Sequence, residues 1–75
     1  MRALPIMLKS PQEVKSFVNT MNRYSFDMDV RSGRNVVNAK SILGIFSLDL
    51  SKPVTLVVYH DSCDTLIDEI QSLVI

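Results

Sequence analysis

Val37-Asn38-Ala39-Lys40-Ser41-Ile42-Leu43-Gly44-Ile45-Phe46-Ser47-Leu48 changes its hydrophobic period part-way along. Val36 and Val37 close an extended, strand-like segment, and from Ser41 onward apolar residues crowd together at helical spacing. Ser41 stands at the changeover, where a hydroxyl can cap the first turn of a helix. The spacing predicts a short helix from Ser41 to about Leu48. Within it Ile45 and Leu48 share one face, suited to a core. Leu43 and Phe46 share another, with Ile42 close by. Two turns cannot turn all five residues toward one sheet, so Leu43 and Phe46 are expected to stay partly exposed. Such a patch reads as a docking surface for another protein or as a face for self-association into a homodimer.

Working outward, Phe26, Met28 and Val30 alternate with Asp27, Asp29 and Arg31, the signature of a half-buried strand. Ser32-Gly33 turns it into the Val36–Val37 strand, which makes a hairpin. Further upstream, Ser10-Pro11-Gln12-Glu13 reads as a helix start. Ser10 is the N-cap, Pro11 takes the first helical position and Glu13 completes a capping box. Val14, Phe17, Val18 and Met21 follow at the spacing of one buried stripe. Before them Leu4, Ile6 and Leu8 alternate as a strand, and Pro5, with no N–H to give a ladder, assigns that strand to a sheet edge.

Downstream, Lys52-Pro53 breaks the chain before a strand from Val54 to Tyr59. Asp61 or Ser62 is expected to cap a last helix with Leu66, Ile67, Ile70, Leu73 and Val74 on its buried side. The element order is βαββαβα with no linker or repeat, so residues 1–75 read as one domain. The fold class is α+β, an antiparallel sheet covered on one face by three helices.

Composition narrows the function. Hydrophobic residues are 47% and charged residues 21% of the chain. That is the balance of a globular protein. Eight Lys plus Arg equal eight Asp plus Glu, so no net field favours nucleic acid or an anionic membrane. Cys63 is alone, which rules out an internal disulfide and suits a reducing cytoplasm. No run approaches the roughly 20 apolar residues of a membrane span.

The Val37–Leu48 segment strongly resembles the region around the regulatory serine of HPr, the phosphocarrier of the bacterial sugar phosphotransferase system. The strand Val54 to Tyr59 and the following Asp61 match that family in place and type. The resemblance implies an open-faced sandwich with strand order 1-4-2-3. It further implies that Ser41 is a candidate for regulatory phosphorylation, and that Ile42, Leu43 and Phe46 dock phosphotransferase-system proteins or a regulatory protein.

The same comparison exposes a loss. The family carries its phospho-accepting histidine in a Gly-x-His-Ala-Arg-Pro-type motif at the first helix. Counting back from Ser41 places Ser10 at the histidine position and Gln12 at the arginine position. Pro11 also removes an N–H donor, and Glu13 adds negative charge to the first turn. Lys9 and Lys15 supply flexible charges in place of a bidentate clamp. A serine hydroxyl needs an activating base, and its phosphoester is too stable to pass on readily. Catalytic residues, metal and cofactor are therefore expected to be absent.

Other polar groups receive structural readings. His60, the only histidine, follows the Val54–Tyr59 strand and is expected at the solvent edge. His60, Asp61, Cys63 and Asp64 hold ligand atoms but match no zinc spacing. Cys63 is expected in the first turn of the last helix as a bystander thiol. Arg31, Arg34 and Lys40 read as a solvated basic rim able to steer acidic partners. The leading function is a docking and regulatory relative of the phosphocarriers that has lost phosphorelay. The alternatives are an active carrier with a displaced acceptor and a self-associating structural module.

Overall fold

A computed structural model describes residues 1–75. The elements in chain order are β1 (Arg2–Ile6), α1 (Pro11–Asn22), β2 (Met28–Ser32), β3 (Asn35–Asn38), α2 (Ile42–Phe46), β4 (Val54–Val58) and α3 (Asp64–Glu69). A single turn of 3-10 helix, Gln71–Leu73, follows α3. The strands form one antiparallel sheet in the order β1-β4-β2-β3.

The sequence pattern explains most of this. Ser10 Oγ accepts the Glu13 N–H at 3.2 Å and begins α1. Val14, Phe17, Val18 and Met21 are all buried, one apolar stripe at the helical period. Opposite them lie Leu4, Ile6, Met28, Val30, Val54, Leu56 and Val58, the alternate residues of three strands. Burial of these side chains drives the fold at about 1.5–3 kcal/mol each. Ile45, Leu66 and Ile70 bring α2 and the end of the chain onto the same core.

The other face of the sheet is open, and one residue on it is nevertheless buried. Val57 lies 3% exposed between Ala3 and Asp29 on its neighbouring strands. Tyr59 reaches along this face, its hydroxyl donating to Asp29 Oδ2 at 2.9 Å and accepting from Arg31 Nη2 at 3.2 Å. The basic rim is thus not uniform: Arg31 is bound across the open face, while Arg34 makes no ion pair.

Several boundaries differ from the pattern reading. β1 stops at Ile6, although Leu8 is still buried. Phe26 precedes β2 and stacks on His60 instead of joining the sheet, and Tyr59 lies just past β4. The hairpin turn is Gly33-Arg34, because Ser32 pairs with Asn35. Gly33 has a positive φ of 59°. A side chain would strain that conformation. α2 ends at Phe46 and Leu48 is buried beyond it.

The last helix is the largest correction. Neither Asp61 nor Ser62 caps it; Cys63 is the N-cap residue and no side chain closes the end. The Ser62 N–H is instead given to His60 Nδ1 at 3.0 Å, which curls the chain before a helix can start. α3 then ends at Glu69, short of Leu73 and Val74. Those residues return along the outer edge of β1. Met7 N–H donates to the Leu73 carbonyl at 2.9 Å, and Ile75 N–H to the Pro5 carbonyl at 3.1 Å. Ile6 and Val74 form an antiparallel bridge. Backbone groups that a longer helix would have paired internally are satisfied by the strand.

Candidate functional site

Two helix starts carry the residues singled out by the sequence. At the first, Ser10 is half-buried and its hydroxyl is engaged as the cap of α1. The Glu13 carboxylate folds back and accepts the Lys9 N–H at 2.8 Å. This is a capping box displaced by one residue, since the carboxylate ordinarily reaches the N-cap N–H itself. Pro11 has no N–H, and Gln12 is exposed and carries no charge. The free donors that make a helix start attract anions are therefore few here, and a fixed carboxylate stands among them.

At the second start, Ser41 Oγ accepts the Gly44 N–H at 3.1 Å and caps α2. The chain approaches it through an Asx turn. Asn38 Oδ1 accepts the Lys40 N–H at 2.8 Å, and the Asn38 carbonyl accepts the Ser41 N–H at 3.0 Å. Gly44 fits because it has no side chain. A Cβ there would lie 3.1 Å from Ser41 Oγ and 3.2 Å from Val37 Cβ.

The faces of α2 divide as its spacing requires. Ile45 is fully buried, Ile42 is half-buried, and Leu43 and Phe46 are 81% and 43% exposed. Phe46 also joins the end of α2 to the start of α1. With Leu50 it lines a cleft of about 180 Å³ whose other walls are Leu8, Lys9, Ser10, Pro11 and Val14. Ser10, Phe46 and the α2 face thus form one continuous surface. Leu50 was not singled out by the sequence, because it lies in a loop outside any period.

His60 lies at the far end of the strands. It follows β4, whose Val58 pairs with Arg2 at the start of β1, while Ser10 follows the end of β1. The length of β1 lies between those ends. At the usual rise of a strand that is roughly 17 Å. The His60 ring stacks on Phe26 with centroids 4.5 Å apart. Its Nδ1 accepts the Ser62 N–H, so the neutral ring carries its proton on Nε2. Cys63 is 1% exposed in the core, ahead of α3 rather than in its first turn. Asp61 and Asp64 are exposed instead, and no three such side chains are grouped to hold a metal ion.

A last cluster ties α3 to α1. The Glu69 carboxylate accepts the Tyr24 hydroxyl at 2.9 Å and pairs with the Arg23 guanidinium. Loss of water around the phenol, reinforced by the hydrogen bond to Glu69, raises the Tyr24 pKa above its ordinary value. Both effects favour the neutral form.

Known proteins match this arrangement. The family model described as the PTS HPr component phosphorylation site matches residues 13–75. Its match begins at Glu13, so Ser10 and Gln12 lie outside it. Among solved structures, HPr-C-His from Thermoanaerobacter tengcongensis superposes with a TM-score of 0.77 at 31% identity, covering 96% of this chain and 93% of that one. A phosphocarrier protein HPr from Bacillus anthracis superposes with a TM-score of 0.69 at 23% identity, covering 99% and 94%, and supports the fold. No curated protein gives a significant sequence match. The sheet order, the α2 segment and the extent of these matches together establish that the chain belongs to the HPr family of the phosphotransferase system.

Proposed function

We propose that this HPr-family protein acts by docking other proteins and does not relay phosphoryl groups through a histidine. The observation that carries this reading is the state of the α1 start. The hydroxyl of Ser10, which the count back from Ser41 puts at the acceptor position, is engaged as a helix cap, and the Glu13 carboxylate is fixed beside it on the Lys9 N–H. An incoming phosphoryl group would meet that negative charge without an arginine to offset it. Meanwhile α2 keeps an exposed apolar face of Leu43 and Phe46, continuous with the Pro11 cleft. Its partners are phosphotransferase-system proteins or a regulator of sugar uptake or carbon metabolism, in the cytoplasm. Ser41 is the regulatory phosphorylation site in this reading: phosphate at the α2 cap would exchange one hydrogen bond for several charge-assisted ones.

A displaced acceptor is disfavoured by the geometry of His60. Its lone-pair nitrogen is engaged with Ser62 N–H, and it stands at the opposite end of β1 and β4 from Ser10.

The test is direct. The protein is incubated with phosphoenolpyruvate and the first enzyme of the phosphotransferase system, beside a working carrier as control, and its mass is measured. An unchanged mass is expected, and an acid-labile phosphoryl adduct would overturn the proposal.

A further inference from the structure

α2 carries the exposed apolar face, yet among its residues only Ile45 is fully buried. A helix this short does not hold itself together in water. Its start is fastened from outside. Asn22, the last residue of α1, donates Nδ2 to the Lys40 carbonyl at 3.3 Å, a contact that spans 18 residues of sequence. The same nitrogen donates to the Val18 carbonyl at 2.9 Å, one turn back in α1. Both protons of the amide are thereby used, and the side chain is braced against a rigid helix before it reaches across. From Lys40 the bonds continue without a break. Asn38 Oδ1 holds the Lys40 N–H, the Asn38 carbonyl holds the Ser41 N–H, and Ser41 Oγ holds the Gly44 N–H.

We infer that Asn22 is a latch that positions α2 against α1. It fixes the step before Ser41, and so sets where Leu43 and Phe46 stand relative to Pro11. At the other end of α2 the two helices face each other across the cleft that Phe46 and Leu50 share with Pro11 and Val14. Without the latch α2 keeps Ile45 as its pivot and loses its fixed orientation. The latch stands on these hydrogen bonds alone; its consequence for partner binding rests on the docking function proposed above.

The experiment is amide hydrogen exchange by NMR on the full chain. It compares the native protein with Asn22→Leu, of similar bulk without donors, and Asn22→Asp, of the same shape with acceptors in place of donors. In both variants the Gly44 and Ile45 amides are expected to exchange about five- to tenfold faster, the worth of one hydrogen bond. The Val30 and Leu56 amides of the sheet should keep their native rates. Unchanged exchange at Gly44 and Ile45 would overturn the latch, and so would an equal rise at all four positions, which marks general destabilisation. If one variant fails to fold, the other is read by the same ratio. No partner enters this measurement, so failure of a docking assay leaves the latch intact, and failure here leaves docking to be judged separately.

Discussion

The carboxylate of Glu13 closes on the backbone N–H of Lys9, four residues earlier, at 2.8 Å. Glu13 and Ser10 together supply partners from within the α1 start for two of its backbone donors. Each satisfies a backbone donor that would otherwise face solvent or a ligand.

Removing the cap should therefore cost stability rather than activity. Ser10→Ala is expected to lower unfolding free energy by about 1 kcal/mol, and Ser10→Asp to retain it within a few tenths. Urea denaturation followed by circular dichroism measures both. A neutral Ser10→Ala would mean that Ser10 is not the working cap.

Leu43 and Phe46 should separate docking from folding. Leu43→Asp alters a side chain that is 81% exposed. Its stability change should stay within about 0.5 kcal/mol, as for other surface substitutions. Phe46→Asp should cost more, because part of that ring lies in the cleft with Pro11 and Leu50. Both should abolish capture of phosphotransferase-system partners in a pull-down. Retained capture by folded Leu43→Asp would show that α2 is not the docking face.

Gly44 and Ser41 should be energetically coupled. Alanine ordinarily favours a helix over glycine by about 1 kcal/mol. Here the new Cβ would press on Ser41 Oγ and Val37 Cβ, so Gly44→Ala is expected to stabilise by less than that or to destabilise. In a Ser41→Ala background the closest of those atoms is gone, and Gly44→Ala should become more favourable. A double-mutant cycle by thermal melting tests this, and strict additivity would count against it.

Tyr24 should make stability fall at alkaline pH. Its pKa is raised in the folded protein, so folding favours the neutral phenol. That contribution is complete below the ordinary tyrosine value of about 10 and disappears as pH rises through the folded value. Tyr24→Phe should flatten the alkaline limb of a stability-against-pH curve. An identical alkaline limb in the variant would remove Tyr24 from the account.

How far the sequence could be read depends on the range of the interaction. α1 was legible because Ser10, Pro11 and Glu13 act on their own turn and the Val14–Met21 stripe has one period. The α2 faces were legible for the same reason. Leu73 and Val74 misled because short apolar runs fit a helix or a strand equally well. A distant strand edge decided between the two. Asn22 gave no signal, since nothing near it in sequence hints at Lys40. That the first helix start holds Ser10 and Gln12, with no histidine, could be read directly. What stands beside them, a carboxylate turned back onto Lys9, needed coordinates.

The returning tail leaves the two margins of the sheet unequal. Residues 73–75 and the missing N–H of Pro5 cover the Pro5–Met7 end of the β1 margin, whereas β3 ends the sheet with no strand beside it and Val36 54% exposed. An incoming strand therefore finds the longer uninterrupted row of backbone donors and acceptors along β3. The tail acts as a partial guard on one margin and leaves the other to its short length.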